Sequence, residues 1–364
     1  MRHSLMIATI AVLIAAASPA LAQTVAESPP APAAAPDSGD VRVVGGNGVP
    51  DGAAPWAVEI YQSSDFSGQR KVDKQDELAH NGKSLFMAER PDWDLRHLCG
   101  AALIAPHWVL TAAHCVLNFA NPGTAQNRII PTFLKYTRLR IGSQDISSKA
   151  AASCQALAIK IPNDGDIALI RIDQHACTPK PRPIAPIRIL ETAPADQHRA
   201  GFVPATQFNV YGWGMVLARP ADAIGVSTAA ALRLDDATHI DHNSADLQFA
   251  TVNFIPPTTC KMRADYRQAV EHGMVCAGLS SGAKDQCDGD SGGPLTLDVA
   301  IDETTVEQLL VGLVHGSAGC GQKSTPGLYV YVPQYLPWIE RTIGHGNAAA
   351  GRAKLAPTRI SGGT

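Results

Sequence analysis

Gly289-Asp290-Ser291-Gly292-Gly293-Pro294 is the stretch on which the reading of this chain turns. A serine hydroxyl is a poor nucleophile until a base takes its proton, and the base works best when a buried carboxylate orients it. Alone, a serine between glycines is an ordinary turn residue. Two other stretches change its meaning. Thr111-Ala112-Ala113-His114-Cys115 lies far upstream and offers an imidazole. Asp166-Ile167-Ala168-Leu169-Ile170 offers a carboxylate at the head of an apolar, strand-like run. The three groups therefore occur in the order His114, Asp166, Ser291.

Gly289 to Gly293 also satisfies G-x-S-x-G, the nucleophile elbow of α/β-hydrolases. That fold requires the order Ser, then Asp or Glu, then His, with a helix after the serine. Here Pro294 and a β-like run over residues 295–299 follow Ser291, and His315 is the one serious downstream base. Chain order excludes the esterase fold.

In these settings the chain resembles the chymotrypsin/trypsin family of serine proteases, over residues 43–343, about four-fifths of its length. The resemblance implies an all-β fold of two six-stranded antiparallel β-barrels with a C-terminal helix and the active site in the inter-barrel cleft. Barrel one would span about residues 43–200 and carry His114 and Asp166. Barrel two, about 201–330, would carry Ser291 and the specificity pocket. Ser291 would attack the scissile carbonyl, His114 would relay its proton and Asp166 would hold the imidazole. The N–H groups of Gly289 and Ser291 match the oxyanion hole.

Asp285 precedes Ser291 at the spacing of a trypsin-type pocket-base aspartate, and Gly327 matches the glycine that leaves the pocket wall open. Such a carboxylate attracts Arg or Lys side chains. Where relatives read Ser-Trp-Gly, this chain has Val314-His315-Gly316-Ser317. An ungapped match places His315 at the serine beside the triad aspartate, Gly316 at the tryptophan and Ser317 at the pocket-mouth glycine. A shifted match keeps Gly316 at the mouth and puts His315 on the tryptophan shelf. Either way the apolar shelf under the substrate is altered.

Upstream, Arg42-Val43-Val44-Gly45-Gly46 looks like a zymogen activation junction. Cleavage after Arg42 would free the amino group of Val43 to pair with Asp290, since a buried carboxylate without a partner is costly. The family further implies disulfides Cys99–Cys115, Cys260–Cys276 and Cys287–Cys320; Cys154–Cys177 then follows by exclusion.

Composition agrees with a secreted globular protein. Of 364 residues, 45% are hydrophobic and 17% charged, enough for a sizeable core in one large domain or two. A net charge of −3 points to no nucleic-acid partner. Arg2 and His3 precede an apolar run over residues 5–17, and Ala20-Leu21-Ala22 supplies a cleavage pattern, so residues 1–22 read as a signal peptide. The run is too short for a comfortable membrane span. Eight cysteines behind such a signal imply disulfides and a secreted or periplasmic location; zinc ligation would want a close Cys-x-x-Cys pair, which is lacking.

Residues 23–42, rich in Ala, Pro and Ser, read as a disordered propeptide, and 345–364, Gly/Ala-rich, as a flexible tail after a protease domain over 43–344. Residues 62–97 and 215–246 exceed the family core and read as surface loop insertions. No cofactor is implied and no metal: residues 141–153, where some relatives bind calcium, hold Asp145 alone as an acid. The expected partners are protein or peptide substrates and protein inhibitors, met by a monomer without membrane attachment after signal removal. The competing function is a catalytically weak or inactive binding protein on the same fold, for which the altered shelf at His315 is the motive.

Overall fold

The computed structural model describes residues 45–64, 91–119, 125–148, 152–177, 184–191, 201–215, 243–282, 284–302, 305–344 and 352–354. Short β-branched and apolar runs broken by Gly, Pro and Asn become fifteen strands among the described residues. They are β1 (Asn47–Gly48), β2 (Ala57–Gln62), β3 (His97–Ala105), β4 (Trp108–Thr111) and β5 (Thr137–Ile141). β6 (Ser153–Lys160), β7 (Ala168–Ile172), β8 (Arg188–Glu191), β9 (Gln207–Gly212) and β10 (Gln248–Ile255) follow. The chain ends with β11 (Val275–Gly278), β12 (Pro294–Ala300), β13 (Val306–Gly316), β14 (Gly327–Tyr331) and β15 (Arg352–Lys354).

Strands β2-β3-β4-β7-β6-β5 close into a six-stranded antiparallel barrel. The order β12-β9-β10-β11-β14-β13, sealed by pairing of β12 with β13, makes the second. Closure removes the open edges that would otherwise template other chains. Val58, Ile60, Leu103, Leu110, Leu139 and Ile170 fill the first barrel. Phe208, Val210, Val252, Leu295, Tyr329 and Tyr331 fill the second. β10 shows how sequence makes a barrel wall: Gln-Phe-Ala-Thr-Val-Asn-Phe-Ile alternates buried and half-buried positions along its length.

The barrels do not divide cleanly at residue 200. β1 pairs with β10, and β8 runs parallel to β13, so both flanks of the first barrel's segment are tied to the second sheet. In return the helix Leu336–Ile343 sends Ile339 and Ile343 into the hydrophobic cluster that contains the first barrel's core. Such exchange fixes the two barrels against each other better than a single linker would.

The tail expected over 345–364 is not wholly free: Arg352–Lys354 lies as β15 in parallel with β8. A strand edge with unpaired N–H and C=O groups accepts such an addition from a short extended segment. Cystines join Cys99 to Cys115, Cys154 to Cys177, Cys260 to Cys276 and Cys287 to Cys320.

One polar pair sits deep between β2 and β5. Glu59 and Arg140 are direct cross-strand partners, both nearly inaccessible, and the guanidinium donates to Glu59 Oε2. Arg140 also lies over the ring of Tyr61, 4.4 Å from its centre. A buried charge that loses its partner is worse than either a pair or an apolar replacement of both. Arg140→Met should therefore destabilise the protein by about 3–5 kcal/mol. Denaturant unfolding of Glu59→Leu/Arg140→Met should recover most of that loss; a double variant as unstable as the single would refute the pair's role.

Candidate active site

The antiparallel register of β4 on β7 sets Thr111 opposite Ala168. The chain three residues beyond Thr111 and that two residues before Ala168 therefore emerge at one end of the barrel. His114 enters there at the start of the helix Ala113–Leu117, and Asp166 at the head of β7. The Cys99–Cys115 bridge ties the helix back to β3. Asp166 Oδ1 accepts the backbone N–H of His114 at 2.8 Å, while Oδ2 faces His114 Nδ1 at 2.7 Å. Burial pushes the Asp166 carboxyl up, but the hydrogen bonds from His114 and His315 outweigh it and hold the group far below the usual carboxylate range.

The nucleophile turn reaches the same place from the other barrel. Ser291 O accepts from Gly100 N at 2.8 Å, one residue beyond Cys99. Gly292 N donates to Val314 O, and Val314 N to Gly293 O, each at 2.8 Å. The turn is thus pinned to β3 on one side and to β13 on the other. Among the described residues Ser291 Oγ makes no hydrogen bond to His114; such contacts often tighten only when substrate binds.

Gly289 has φ +95°, a left-handed conformation that L side chains rarely adopt, and a Cβ there would stand 2.8 Å from Asn243 Oδ1. Its carbonyl faces His97 Nε2 at 2.9 Å, and His97 Nδ1 faces Glu59 Oε1 at 3.1 Å. Both partners accept, so each ring nitrogen presents an N–H when both bonds are made. A chain of contacts therefore runs from Arg140 through Glu59 and His97 to the Gly289 peptide. Sequence reasoning did not find Glu59 or His97. The one available signal was an acidic residue inside the otherwise apolar run Ala57-Val58-Glu59-Ile60.

The two insertions also meet here. The middle parts of 62–97 and 215–246 lie outside the described residues, but near their ends Gln62, Ser63, Asp94, His97, Asn243 and Ser244 are buried rather than on the surface. Asn243 N donates to Asp94 Oδ1 at 3.0 Å, and Asn243 Nδ2 to Asp94 O at 3.2 Å. Short polar side chains can satisfy a loop's backbone groups inside the protein, which is why these ends are buried.

His315, at the end of β13, is on the Asp166 carboxylate. Its Nδ1 lies 2.6 Å from Asp166 Oδ2, the same oxygen that His114 faces, and the two imidazole rings meet edge-on with centres 5.8 Å apart. Only the ungapped placement of His315 is compatible with this contact. Beside it, Ser317 Oγ donates to Gly319 O, and Ala318 N to Tyr266 OH at 2.7 Å.

Asp285 lies under Cys287–Cys320, 2% exposed. Its oxygens accept from Gln286 N at 2.9 Å and Gly321 N at 3.3 Å. Burial nevertheless lifts its carboxyl well above the usual range, with Asp290 adding repulsion. Buried nearby, Tyr329 Oη and Gln286 Nε2 have no hydrogen-bond partner among the described residues. Both border Gly327, where a Cβ would come within 2.8 Å of the Tyr329 hydroxyl and 3.0 Å of Gln286 Nε2. A side chain at position 327 would thus crowd the Tyr329 hydroxyl and the Gln286 amide.

Asp290 is also enclosed, 1% exposed, and accepts from Gly214 N and Cys287 N at 2.8 Å each. Burial outweighs these bonds and the attraction of His97, pushing the carboxyl up to about 6. Arg42 and Val43, the other residues of the expected activation switch, lie outside the described residues.

The structure thus sets a paired imidazole and carboxylate on one barrel and the Gly-Asp-Ser-Gly turn on the other, in a double-barrel fold. The Trypsin family model matches residues 43–220 and 226–339, and the chain belongs to this family of chymotrypsin/trypsin-like serine proteases. Bovine (Bos taurus) coagulation factor XII is 34% identical over 68% of this chain and 36% of its own length. Rat (Rattus norvegicus) transmembrane protease serine 11G is 29% identical over 67% of this chain and 49% of its own. The chain thus spans from about a third to half of these relatives. The structure of mouse neuropsin, a serine protease, superposes with a TM-score of 0.51 at 21% identity, covering 82% of this chain and 99% of that one, and agrees in fold.

Asp290 gives a pH test. Its carboxyl ordinarily titrates at 3.8 and here at about 6, so between those values the folded chain holds a proton that the unfolded chain releases. Folding stability from this group is complete below pH 4 and falls as pH rises to about 6, by on the order of 3 kcal/mol. Thermal melts of the uncleaved chain should show Asp290→Asn gaining on wild type between pH 4 and pH 7. A pH-independent difference would remove the claim.

Proposed function

We propose that this chain is a secreted or periplasmic serine endopeptidase, made as a zymogen, that cuts after Arg or Lys. The observation that carries it is the doubly bonded His114–Asp166 pair, with the Ser291 turn fastened to the adjoining β3 backbone. Ser291 Oγ attacks the scissile carbonyl carbon while its proton passes to His114 Nε2. Asp166 holds Nδ1–H, fixing the tautomer and stabilising the imidazolium. The oxyanion takes hydrogen bonds from the N–H groups of Gly289 and Ser291. His114 then gives its proton to the leaving amine, and water, activated by the same imidazole, hydrolyses the acyl-enzyme.

Specificity rests on Asp285. A buried carboxylate with two backbone donors and no cation among the described residues is under-satisfied, and a substrate Arg or Lys supplies the missing charge. Zymogen control rests on Asp290, whose burial favours pairing with the Val43 ammonium once Arg42–Val43 is cut. A secreted location rests on the leader sequence; no helix among the described residues is long and apolar enough to cross a membrane.

A catalytically weak binding protein is the second reading, favoured by His315, which competes with His114 for one carboxylate oxygen. Covalent labelling decides between them. After cleavage at Arg42, an organophosphonate should modify Ser291, and an arginyl amide should be hydrolysed far faster than its phenylalanyl twin. Ser291→Ala should lose activity by several orders of magnitude, and Asp285→Ser should lose orders of magnitude of the Arg preference. Absence of labelling in the cleaved protein would favour the binding protein; equal rates on Arg and Phe would sink the Asp285 assignment.

A further inference from the structure

Three ligand-bearing groups converge where catalysis needs two. One ligand atom from each of His114, Asp166 and His315 lies within 4.8 Å of the others, and both Nδ1 atoms face Asp166 Oδ2, at 2.7 and 2.6 Å. We propose that His114, Asp166 and His315 form a binding site for one zinc-class divalent cation, and that occupancy of this site shuts the triad off. The switching half of this inference rests on the catalytic reading above; the binding half does not.

Two imidazole nitrogens and one carboxylate oxygen are the donor set of open zinc sites, with a fourth position left for water. The donors suit Zn²⁺, Cu²⁺ or Co²⁺, whereas Ca²⁺ and Mg²⁺ want six or more oxygen ligands or a hydrated octahedron. Zinc–nitrogen and zinc–oxygen bonds of about 2.0–2.2 Å place tetrahedral ligands about 3.3 Å apart. Each nitrogen must therefore recede from the oxygen by about 0.6 Å. The side chains are 27%, 14% and 35% exposed for His114, Asp166 and His315, so solvent borders the cluster and the two rings can yield.

Inhibition follows from tautomer chemistry. Catalysis needs the proton of neutral His114 on Nδ1, facing Asp166, and a lone pair on Nε2 to receive the Ser291 proton. A metal takes the Nδ1 lone pair, which leaves the ring proton on Nε2. No proton need leave the protein: it moves from one ring nitrogen to the other, and likewise in His315. His114 then has no lone pair for the serine, and Asp166 is bound to the cation. The metal-bound and catalytic states are mutually exclusive. The sequence predicts no metal because His315 lies 149 residues from Asp166, and only the pairing of β13 beside the turn brings it there.

The test uses the full chain. Calorimetric titration of Ser291→Ala with ZnCl₂ should give one bound ion, and with CoCl₂ an absorption spectrum of a low-coordinate site; CaCl₂ and MgCl₂ should give neither. His315→Gln keeps an amide donor for Asp166 but is a poor ligand, and should weaken Zn²⁺ binding at least about tenfold; His315→Ser should do the same. In active, cleaved protein, each normalised to its own metal-free rate, Zn²⁺ should abolish amide hydrolysis in wild type and inhibit both His315 variants at least about tenfold less tightly. No binding to Ser291→Ala, or His315 variants that bind as tightly as wild type, would overturn the site. Binding without inhibition of an active enzyme would overturn the switch while leaving the catalytic reading intact, and an inactive wild type that binds zinc would fault the catalytic reading alone.

Discussion

A carboxylate taken out of water must be met by donors, and the seam between the two barrels is built around five that are wholly or largely removed from it. Glu59, Asp94, Asp285 and Asp290 are buried and Asp166 is largely so. Each is met differently. Glu59 has a guanidinium and an imidazole, Asp166 two imidazoles and a backbone N–H, Asp94 the backbone of Asn243. Asp285 and Asp290 have mainly backbone N–H groups, and burial raises both. An acid held by hydrogen bonds alone stays poised for a cation, whereas an acid already paired with one is structural. That contrast separates the two acids assigned to substrate and activation from the one that holds β2 to β5.

The same constraint couples the barrels. Because His97 bridges Glu59 of the first barrel and the Gly289 carbonyl of the second, orientation of the Gly289 peptide depends on a charge pair two strands away. That peptide's own N–H is the one of Asp290, which donates to Cys287 O at 3.0 Å, while the proposed oxyanion donor, Gly289 N–H, lies one peptide earlier, across the Gly289 Cα. Movement of Asp290 toward a cation would thus turn a peptide that His97 already grips. The Gly100–Ser291 backbone bond limits that turn to the Gly289–Asp290 side, leaving the serine where it is.

Much of this was legible in the sequence because family-specific chemistry is carried by local motifs. The barrels followed from the order of His114, Asp166 and Ser291 with their flanking residues, and the strands from alternation such as that of β10. What was not legible depends on distant pairings. Glu59 looked like a polar interruption in a strand until Arg140 stood opposite it in β5. The ends of the insertions looked like exposed loops because Asp94 and Asn243 are 149 residues apart. The placement of β8 beside β13, and of β15 beside β8, is a parallel addition with no sequence signature, since four- and three-residue strands carry too little periodicity to read.

His315 shows how one side chain changes what the Asp166 carboxylate can do. A hydroxyl in that place could donate one hydrogen bond to Asp166; an imidazole donates one too, and also brings a lone pair and a charge state of its own. Asp166 Oδ2 then faces two equivalent donors at 2.7 and 2.6 Å. Whatever His315 draws from that oxygen is withdrawn from His114, because the negative charge that stabilises the imidazolium during attack is shared. A second imidazole on Asp166 is therefore a cost to the catalysis proposed for His114 and is accounted for by the proposed metal-bound state, in which that catalysis is held off.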